Sequence, residues 1–282
     1  MEYVKSPMNY IGNKYRIMGQ IHKFFPKKID TMVDLFCGGC DVTINTKANV
    51  KFANDINYHV INILEQMQCY SIDYILDYID GTIDEWKLSK ENAEAYTRFR
   101  KYCNEVKNPL DLYVLMCFSF NYQFRFNSKQ EYNNTFGRNR SSFNETMRTN
   151  LVNTLPRLKN VKFSTKNFKE FNYSVLDSGD FLYADPPYLI TTGSYNDGKR
   201  GFTGWTIHEE KKLYEILDGL NDKGVKFALS NVLEHKGKKN EILLDWYKKK
   251  YHRHGINFNY NNSSYHAKNT EKSTKEVLIT NF

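Results

Sequence analysis

Phe181-Leu182-Tyr183-Ala184-Asp185-Pro186-Pro187-Tyr188 decides how this chain is read. The first four residues are a short apolar run with two aromatics, the pattern of a buried strand. Asp185 therefore falls where the strand leaves the sheet, the edge at which open α/β sheets bind ligands. Two prolines lack N–H donors and fix φ, so the segment is stiff and presents carbonyl oxygens. Asp185 and the Pro186 carbonyl make two acceptors in a fixed arrangement, and Tyr188 adds an aromatic face. Such a site suits a planar ring with an exocyclic amino group. The acceptors hold the two amino hydrogens, the nitrogen lone pair is drawn out of conjugation, and the ring stacks on Tyr188. Read alone, the tetrapeptide also fits an ordinary strand-ending turn.

Two earlier segments give that strand a sheet. Thr31-Met32-Val33-Asp34-Leu35-Phe36 reads as a buried strand, and Cys37-Gly38-Gly39-Cys40 turns the chain tightly into a helix. Glycines at such a turn let the backbone approach a ligand closely. Lys51-Phe52-Ala53-Asn54-Asp55 is the next strand and ends in an acid, which can accept both ribose hydroxyls of an adenosine cofactor. The G-x-G-x-x-G pattern that cradles a pyrophosphate is absent. The wider turn suits a cofactor without phosphates, S-adenosylmethionine rather than NAD. A non-binding α/β turn stays open on these residues alone.

The chain has 282 residues, 40% of them hydrophobic, with 15 Gly and 6 Pro, so it reads as globular with ample core. Its net charge of +8 and pI near 9.0 fit an acidic polymer as partner, or simple solubility charge. Five cysteines at irregular spacing fit reduced thiols. Cys37 and Cys40 have a C-x-x-C spacing, but no second pair or histidine cluster completes a zinc site, so no metal is expected. No signal-peptide core opens the chain and no apolar run approaches a membrane span. A cytoplasmic protein with no membrane partner is expected.

In chain order, Lys5–Lys14 is a polar loop from which Tyr10 and Lys14 could face a ligand, or simply pack. Ile17, Ile21 and Phe24 share a helical face that Pro26 ends. Residues 57–120 read as helical scaffold. From Asn121 to Arg140 the chain carries Arg125, Lys129, Arg138 and Arg140 against the single acid Glu131, interleaved with Tyr122, Phe124, Phe126, Tyr132 and Phe136. Alternation through Tyr122–Phe126 and a turn at Asn127-Ser128-Lys129 suggest a β-hairpin. Its arginines and asparagines can fork onto base edges, and its aromatics can wedge or stack; a solvated hairpin of no special purpose is the alternative. Phe163–Phe168 returns to strand character. After Asp185, Tyr195–Phe202 is a polar glycine-rich loop that could close over the site. Thr206–Leu220 reads as a helix capped by Thr206, Lys226–Asn231 as a strand, Lys236–Lys250 as a basic helix and Glu276–Thr280 as the terminal strand.

Together K-S-P-M-N-Y-I-G-N-K (5–14), V-D-L-F-C-G-G (33–39), A-N-D (53–55) and F-L-Y-A-D-P-P-Y-L-I (181–190) resemble the α-group of amino-methyltransferases acting on adenine in DNA, most of all the phage-type Dam methylases. L-S-N-V-L-E-H (229–235) and Y-H-A-K (265–268) extend the resemblance over nearly the whole chain. It implies a Rossmann-like α/β methyltransferase sheet (1–56 and 160–282) with an inserted helical and hairpin target-recognition domain (57–159). It implies S-adenosylmethionine as cofactor, double-stranded DNA as partner and a flipped adenine as substrate. By position, Tyr10, Lys14, Phe36, Asp55, Phe168 and Asp185 match cofactor-binding residues. Asp185, Pro186 and Tyr188 match the catalytic motif. Tyr195 matches an aromatic beside Tyr188 in the substrate pocket, and Arg125, Asn127, Arg138 and Arg140 the DNA-reading hairpin. The family's T-P-F-G-K-R run is replaced by Asn134-Thr135-Phe136-Gly137-Arg138-Asn139-Arg140, which leaves a GATC target open. A bacterial or phage-encoded restriction-system methylase, a monomer on DNA with a cognate endonuclease, is the expectation. RNA adenine methylation, protein glutamine methylation and a non-catalytic DNA-binding module are the rivals. The glutamine enzymes would typically carry Asn where Asp185 stands, and a bare binding module would tolerate loss of Asp55 and Asp185.

Overall fold

The computed structural model describes residues 2–191, 204–257 and 274–282. Four short parallel strands carry the front of the sheet: β1 (Thr31–Asp34), β2 (Val50–Asn54), β3 (Val161–Ser164) and β4 (Phe181–Ala184). The sheet continues through β5 (Lys226–His235), β7 (His252–Ile256) and β8 (Lys275–Thr280), with a two-residue β6 (Lys238–Lys239) folded back on β5. The order is β3-β2-β1-β4-β5-β8-β7, and β8 runs antiparallel to both neighbours. From β1 the chain steps outward to β2 and β3, then returns to place β4 on the other side of β1. The strand order therefore reverses between β1 and β4, where a crevice opens beyond the carboxyl ends. This is the Rossmann-like α/β sheet that the sequence predicts.

Alternation along the strands supplies the two faces. Val33, Leu182, Phe227 and Ile279 pack under α8 (Ile207–Asp222) and α9 (Glu241–Tyr247). Met32, Phe181, Tyr183, Ala228 and Leu278 face the other way, onto Ile17, Met18, Ile21 and Phe25. That N-terminal segment is one turn of helix, α1 (Met18–Ile21), between two 3-10 turns, not the single helix expected.

Between β2 and β3 the chain makes α3 (Tyr58–Cys69), α4 (Ile72–Glu85), α5 (Ala93–Val106), α6 (Pro109–Cys117) and α7 (Glu145–Leu158). Each begins at a side-chain N-cap: Asn57, Ser71, Asn92, Asn108 and Asn144 accept hydrogen bonds from their own first turns. Helix α6 is buried all round and is the hub on which α3, α4 and α5 pack. The same apolar cluster runs into the sheet at Ala53 and Val161 and into the loop at Cys37 and Cys40.

Two further segments differ from the sequence expectation. The basic stretch Lys236–Lys250 is helical only over Glu241–Tyr247: Lys236 and Gly237 turn the chain with positive φ, and Asn240 caps the helix. The hairpin at 121–140 has no continuous ladder, only isolated bridges Ser119–Phe136 and Phe126–Tyr132. Asn121 and Tyr122 both stand at φ +55°, which breaks the extended run that the alternation suggested.

Helix α8 holds a buried carboxylate that fixes the rim of the crevice. Glu210 accepts from Tyr214 (2.6 Å), Asn231 (2.9 Å), Asn240 (3.2 Å) and the Trp205 indole. A buried donor left unpaired costs about 1–3 kcal/mol. Glu210→Leu removes four acceptor contacts at once, so it should lower stability by more than about 3 kcal/mol in urea unfolding, while Glu210→Gln should lose less. Equal stability of wild type and Glu210→Leu would show that these donors find other partners.

Candidate functional site

The crevice floor is built from β1 outward. Asp34 closes β1 and is buried; Thr43 of α2 (Asp41–Asn45) donates to its Oδ2 at 2.6 Å, and its Oδ1 has no hydrogen-bond partner among the described residues. Burial pushes the Asp34 carboxyl up to about 7, the Thr43 hydrogen bond opposes this, and the Asp185 and Asp55 charges add to it. After Phe36 the chain turns through Gly38, whose φ is +47° and whose missing side chain matters: a Cβ there would stand 2.6 Å from the Tyr10 ring. Tyr10 thus lies flat on the glycine turn, and its hydroxyl accepts from Asn57 at 3.4 Å.

Asp55, just past β2, ties this turn to the next helix. Its Oδ2 accepts from the Gly38 N–H at 2.9 Å and its Oδ1 from the Asn57 N–H at 2.8 Å. The carboxylate is therefore first a brace for two loops. Phe36 and Phe168 meet at 5.6 Å between ring centroids, and Trp205 closes a triangle with them at 5.7 and 5.3 Å. Phe168 belongs to a 3-10 turn after β3, not to the strand itself.

Across the switch point, Asp185 follows β4. Lys14 Nζ reaches its Oδ2 at 2.7 Å, the Tyr188 hydroxyl donates to its Oδ1 at 2.9 Å, and Thr191 N–H closes the turn on the Tyr188 carbonyl at 3.1 Å. Burial pushes the Asp185 carboxyl up, against Lys14 and Tyr188, which pull it down. Lys14 also donates to the Gly12 carbonyl and lies 5.3 Å over the Tyr188 ring. Glu276 of β8 completes the cluster, 3.0 Å from the Tyr188 hydroxyl and 3.8 Å from Lys14.

The structure thus brings together Tyr10, Asp55, Phe36 and Phe168 on one side of the switch point, and Lys14, Asp185, Pro186 and Tyr188 on the other. Tyr195, with the rest of the Tyr195–Phe202 loop, and Tyr265–Lys268 lie outside the described residues. Arg125, Arg138 and Arg140 are exposed on the excursion between α6 and α7, and the Arg140 guanidinium stands 5.3 Å over the Phe120 ring. Asn127 faces inward instead: its oxygen accepts from Lys129 and Glu131 N–H, and its nitrogen donates to Glu131 at 2.7 Å, so it shapes the tip. Phe124, Phe126 and Tyr132 are buried, packed into the helical core rather than presented as wedges. Sequence reasoning missed Glu276, Trp205 and the role of Asp34; an acid within a terminal apolar strand was the available signal for Glu276.

Comparison with known proteins bears on this arrangement. Residues 10–262 match the family model described as D12 class N6 adenine-specific DNA methyltransferase. The chain is 53% identical over 282 residues to the type II methyltransferase M.FokI of Planomicrobium okeanokoites, covering 99% of this chain and 43% of that one. It is 51% identical over 284 residues to the modification methylase StsI of Streptococcus sanguinis, covering 100% and 43%. The DNA adenine methylase of Escherichia coli K12 is 23% identical over 228 residues, 79% of each chain. The chain thus spans less than half the length of the first two relatives.

The Asp34 carboxyl makes a pH prediction. Unfolded, it titrates at its ordinary 3.8; folded, near 7, so the native state holds its proton more tightly between those values. Its contribution to stability is present below about pH 4 and is lost as pH rises through 7, at a steepest slope of ~1.4 kcal/mol per pH unit. Asp41, raised to about 6 by burial, shares most of that window. Urea unfolding at pH 5, 6 and 7 should show stability falling with pH, and Asp34→Asn should flatten the fall. Parallel curves for the two proteins would mean that Asp34 is ionised throughout.

Proposed function

The chain belongs to the D12 class of N6 adenine-specific DNA methyltransferases, and from that premise we propose that it moves the methyl group of S-adenosylmethionine to the exocyclic N6 of an adenine flipped out of duplex DNA. The observation that carries the reading is the joining of two half-sites across one strand boundary. The Asp55-braced glycine turn lies beyond β1 and β2, and the Lys14–Asp185–Tyr188 cluster lies beyond β4.

The residues present fit the cofactor. Asp55 stands at the end of the second strand, where it can accept ribose hydroxyls while bracing the loop. Phe36, Phe168 and Trp205 offer an apolar box for a purine, and the buried Asp34 Oδ1 is an acceptor still to be matched at the crevice floor. Tyr10 and Lys14 complete the proposed cofactor residues. S-adenosylmethionine, when bound, supplies a sulfonium-activated methyl group.

The chain's own residues do the rest. Asp185 and the Pro186 carbonyl orient the target amine by taking its two hydrogens, and the Asp185 charge favours the positive nitrogen that forms during transfer. Tyr188 gives the base a face to stack on. Holding the reacting groups in line is the main task, and the unstacking of the base costs a few kcal/mol that the pocket must return. A thiol nucleophile has no part in this scheme; burial holds the Cys37 thiol well above its usual range. The exposed Arg125, Arg138 and Arg140 are the proposed contacts to the duplex, and a cognate endonuclease is the proposed partner of a chain that acts as a monomer on DNA.

Asp185→Ala should keep cofactor and DNA binding but lose methyl transfer, because its carboxylate acts on the reacting amine. Wild-type turnover by that variant would remove Asp185 from the chemistry. Asp55→Ala should weaken cofactor binding by roughly 2–4 kcal/mol or more, since two backbone N–H groups of the turn lose their acceptor as well; calorimetry gives the answer directly.

The arginines are separable by salt. An arginine forked onto guanine is worth about 1–3 kcal/mol of discrimination, whereas one on phosphate weakens all sequences alike and lowers the salt slope by about one. Methylation of duplexes differing by one base pair, at two salt concentrations, should show relaxed preference in Arg125→Ala. Even losses across all duplexes in Arg125→Ala, Arg138→Ala and Arg140→Ala would mean that the excursion only anchors the backbone.

A further inference from the structure

Beyond the end of β4, beside the start of β8, two carboxylate oxygens compete for one hydroxyl proton. The Tyr188 hydroxyl lies 2.9 Å from Asp185 Oδ1 and 3.0 Å from Glu276 Oε1. A phenol has one proton to give and an ionised carboxylate only accepts, so the two contacts are alternatives or share a single donor. Lys14 is placed between the same two acids, at 2.7 Å from Asp185 and 3.8 Å from Glu276.

The position of Glu276 is itself costly. It is 5% exposed, next to the buried Val277, Leu278 and Ile279 on a strand that pairs with both neighbours. Acidic side chains are almost never buried this far unless paired. The pairing here is with the residue that holds the target amine, through a tyrosine, and with the lysine that already serves it.

We infer that Glu276 is a positioning residue for methyl transfer: it keeps the Tyr188 hydroxyl in place when the target amine claims Asp185. The inference rests on Asp185 holding that amine, as proposed above, and Glu276 itself touches neither the base nor the methyl donor. Without Glu276, the amine and the Tyr188 hydroxyl would compete for the same oxygen of Asp185. With it, the hydroxyl keeps the acceptor it already has at 3.0 Å, and the ring that receives the base does not swing.

The test is a double-mutant cycle on the full chain. It reads single-turnover methylation of duplex DNA from a host without adenine methylation, with S-adenosylmethionine saturating. Glu276→Met, which fills the space without an acceptor, and Glu276→Ala should each slow transfer about tenfold or more, the value of a hydrogen bond to a charged acceptor. Glu276→Gln, whose amide oxygen accepts the phenol, should recover most of the rate. In a Tyr188→Phe background the Met, Ala and Gln variants should differ by less than about threefold, because the hydroxyl they serve is gone. Equal losses in both backgrounds, with thermal melts confirming folded protein, would overturn the inference and leave Glu276 as part of the scaffold. A full rate in Glu276→Met would overturn it too, with the methyltransferase reading intact. No transfer by the unaltered chain would overturn both.

Discussion

The Lys14–Asp185 ion pair is the contact on which the crevice depends. Four acids converge there: Asp34, Asp55 and Asp185 at the carboxyl ends of three adjacent strands, and Glu276 on β8. Burial makes their mutual repulsion expensive. Lys14 answers Asp185 at 2.7 Å and Glu276 at 3.8 Å, but it comes from a loop near the N-terminus, so that loop has to be delivered to the sheet. Polar side chains do this. Asp41 accepts the Ser6 N–H at 3.0 Å, and Asn45 pairs with both the N–H and the carbonyl of Val4 at 2.8 and 2.7 Å. Arg157 of α7 reaches Asn45 in turn at 3.1 Å, so the helical segment between β2 and β3 helps to hold the lysine in the site.

A buried ion pair is weak evidence for stability, because desolvation consumes most of the Coulomb gain. The apolar clusters on the two sheet faces and around α6 carry the fold instead. What the pair provides is a carboxylate held in one position at the end of β4, with Lys14 on one oxygen and Tyr188 on the other. The Glu210 network works in the same way at the opposite rim, where it orients Trp205 toward Phe36 and Phe168.

Two strand-end acids were legible because they follow short apolar runs, Asp55 after Phe52-Ala53-Asn54 and Asp185 after Phe181–Ala184, whereas Asp34 read as the interior of a longer strand Thr31–Phe36. The start of α8 was legible at Thr206, whose side chain accepts from the His208 N–H at 3.2 Å. Glu276 was not, because its meaning lies 88 positions away, at Tyr188, and needs β8 to enter the sheet antiparallel between β5 and β7. No local period encodes that insertion. The basic run 236–250 misled for a different reason: its charge suggested one helix, while Gly237 and Asn240 already carried the turn and the cap.

The excursion at 121–140 shows how a right pattern can carry a wrong structure. The aromatics read as able to wedge or stack are instead buried at Phe124, Phe126 and Tyr132, Arg125 is exposed, and the ladder that alternation implies is nearly absent. Side chains replace it. The Asn134 amide donates to the carbonyls of Phe120 and Gln123, both at 2.9 Å, while Tyr96 and Arg100 hold the Asn134 carbonyl at 3.0 Å. Asn104 pairs with both backbone groups of Tyr132, at 2.7 and 3.1 Å. Gly137 packs so closely on Ser141 that a Cβ would stand 2.1 Å from its hydroxyl oxygen, which fixes the turn into Arg138. Each of these ties anchors the excursion to α5 or to itself rather than to a partner strand. Its arginines therefore stand on backbone that the fold itself holds in place. Phe124, Phe126 and Tyr132 are committed to that anchoring and buried, while Arg125, Arg138 and Arg140 are exposed.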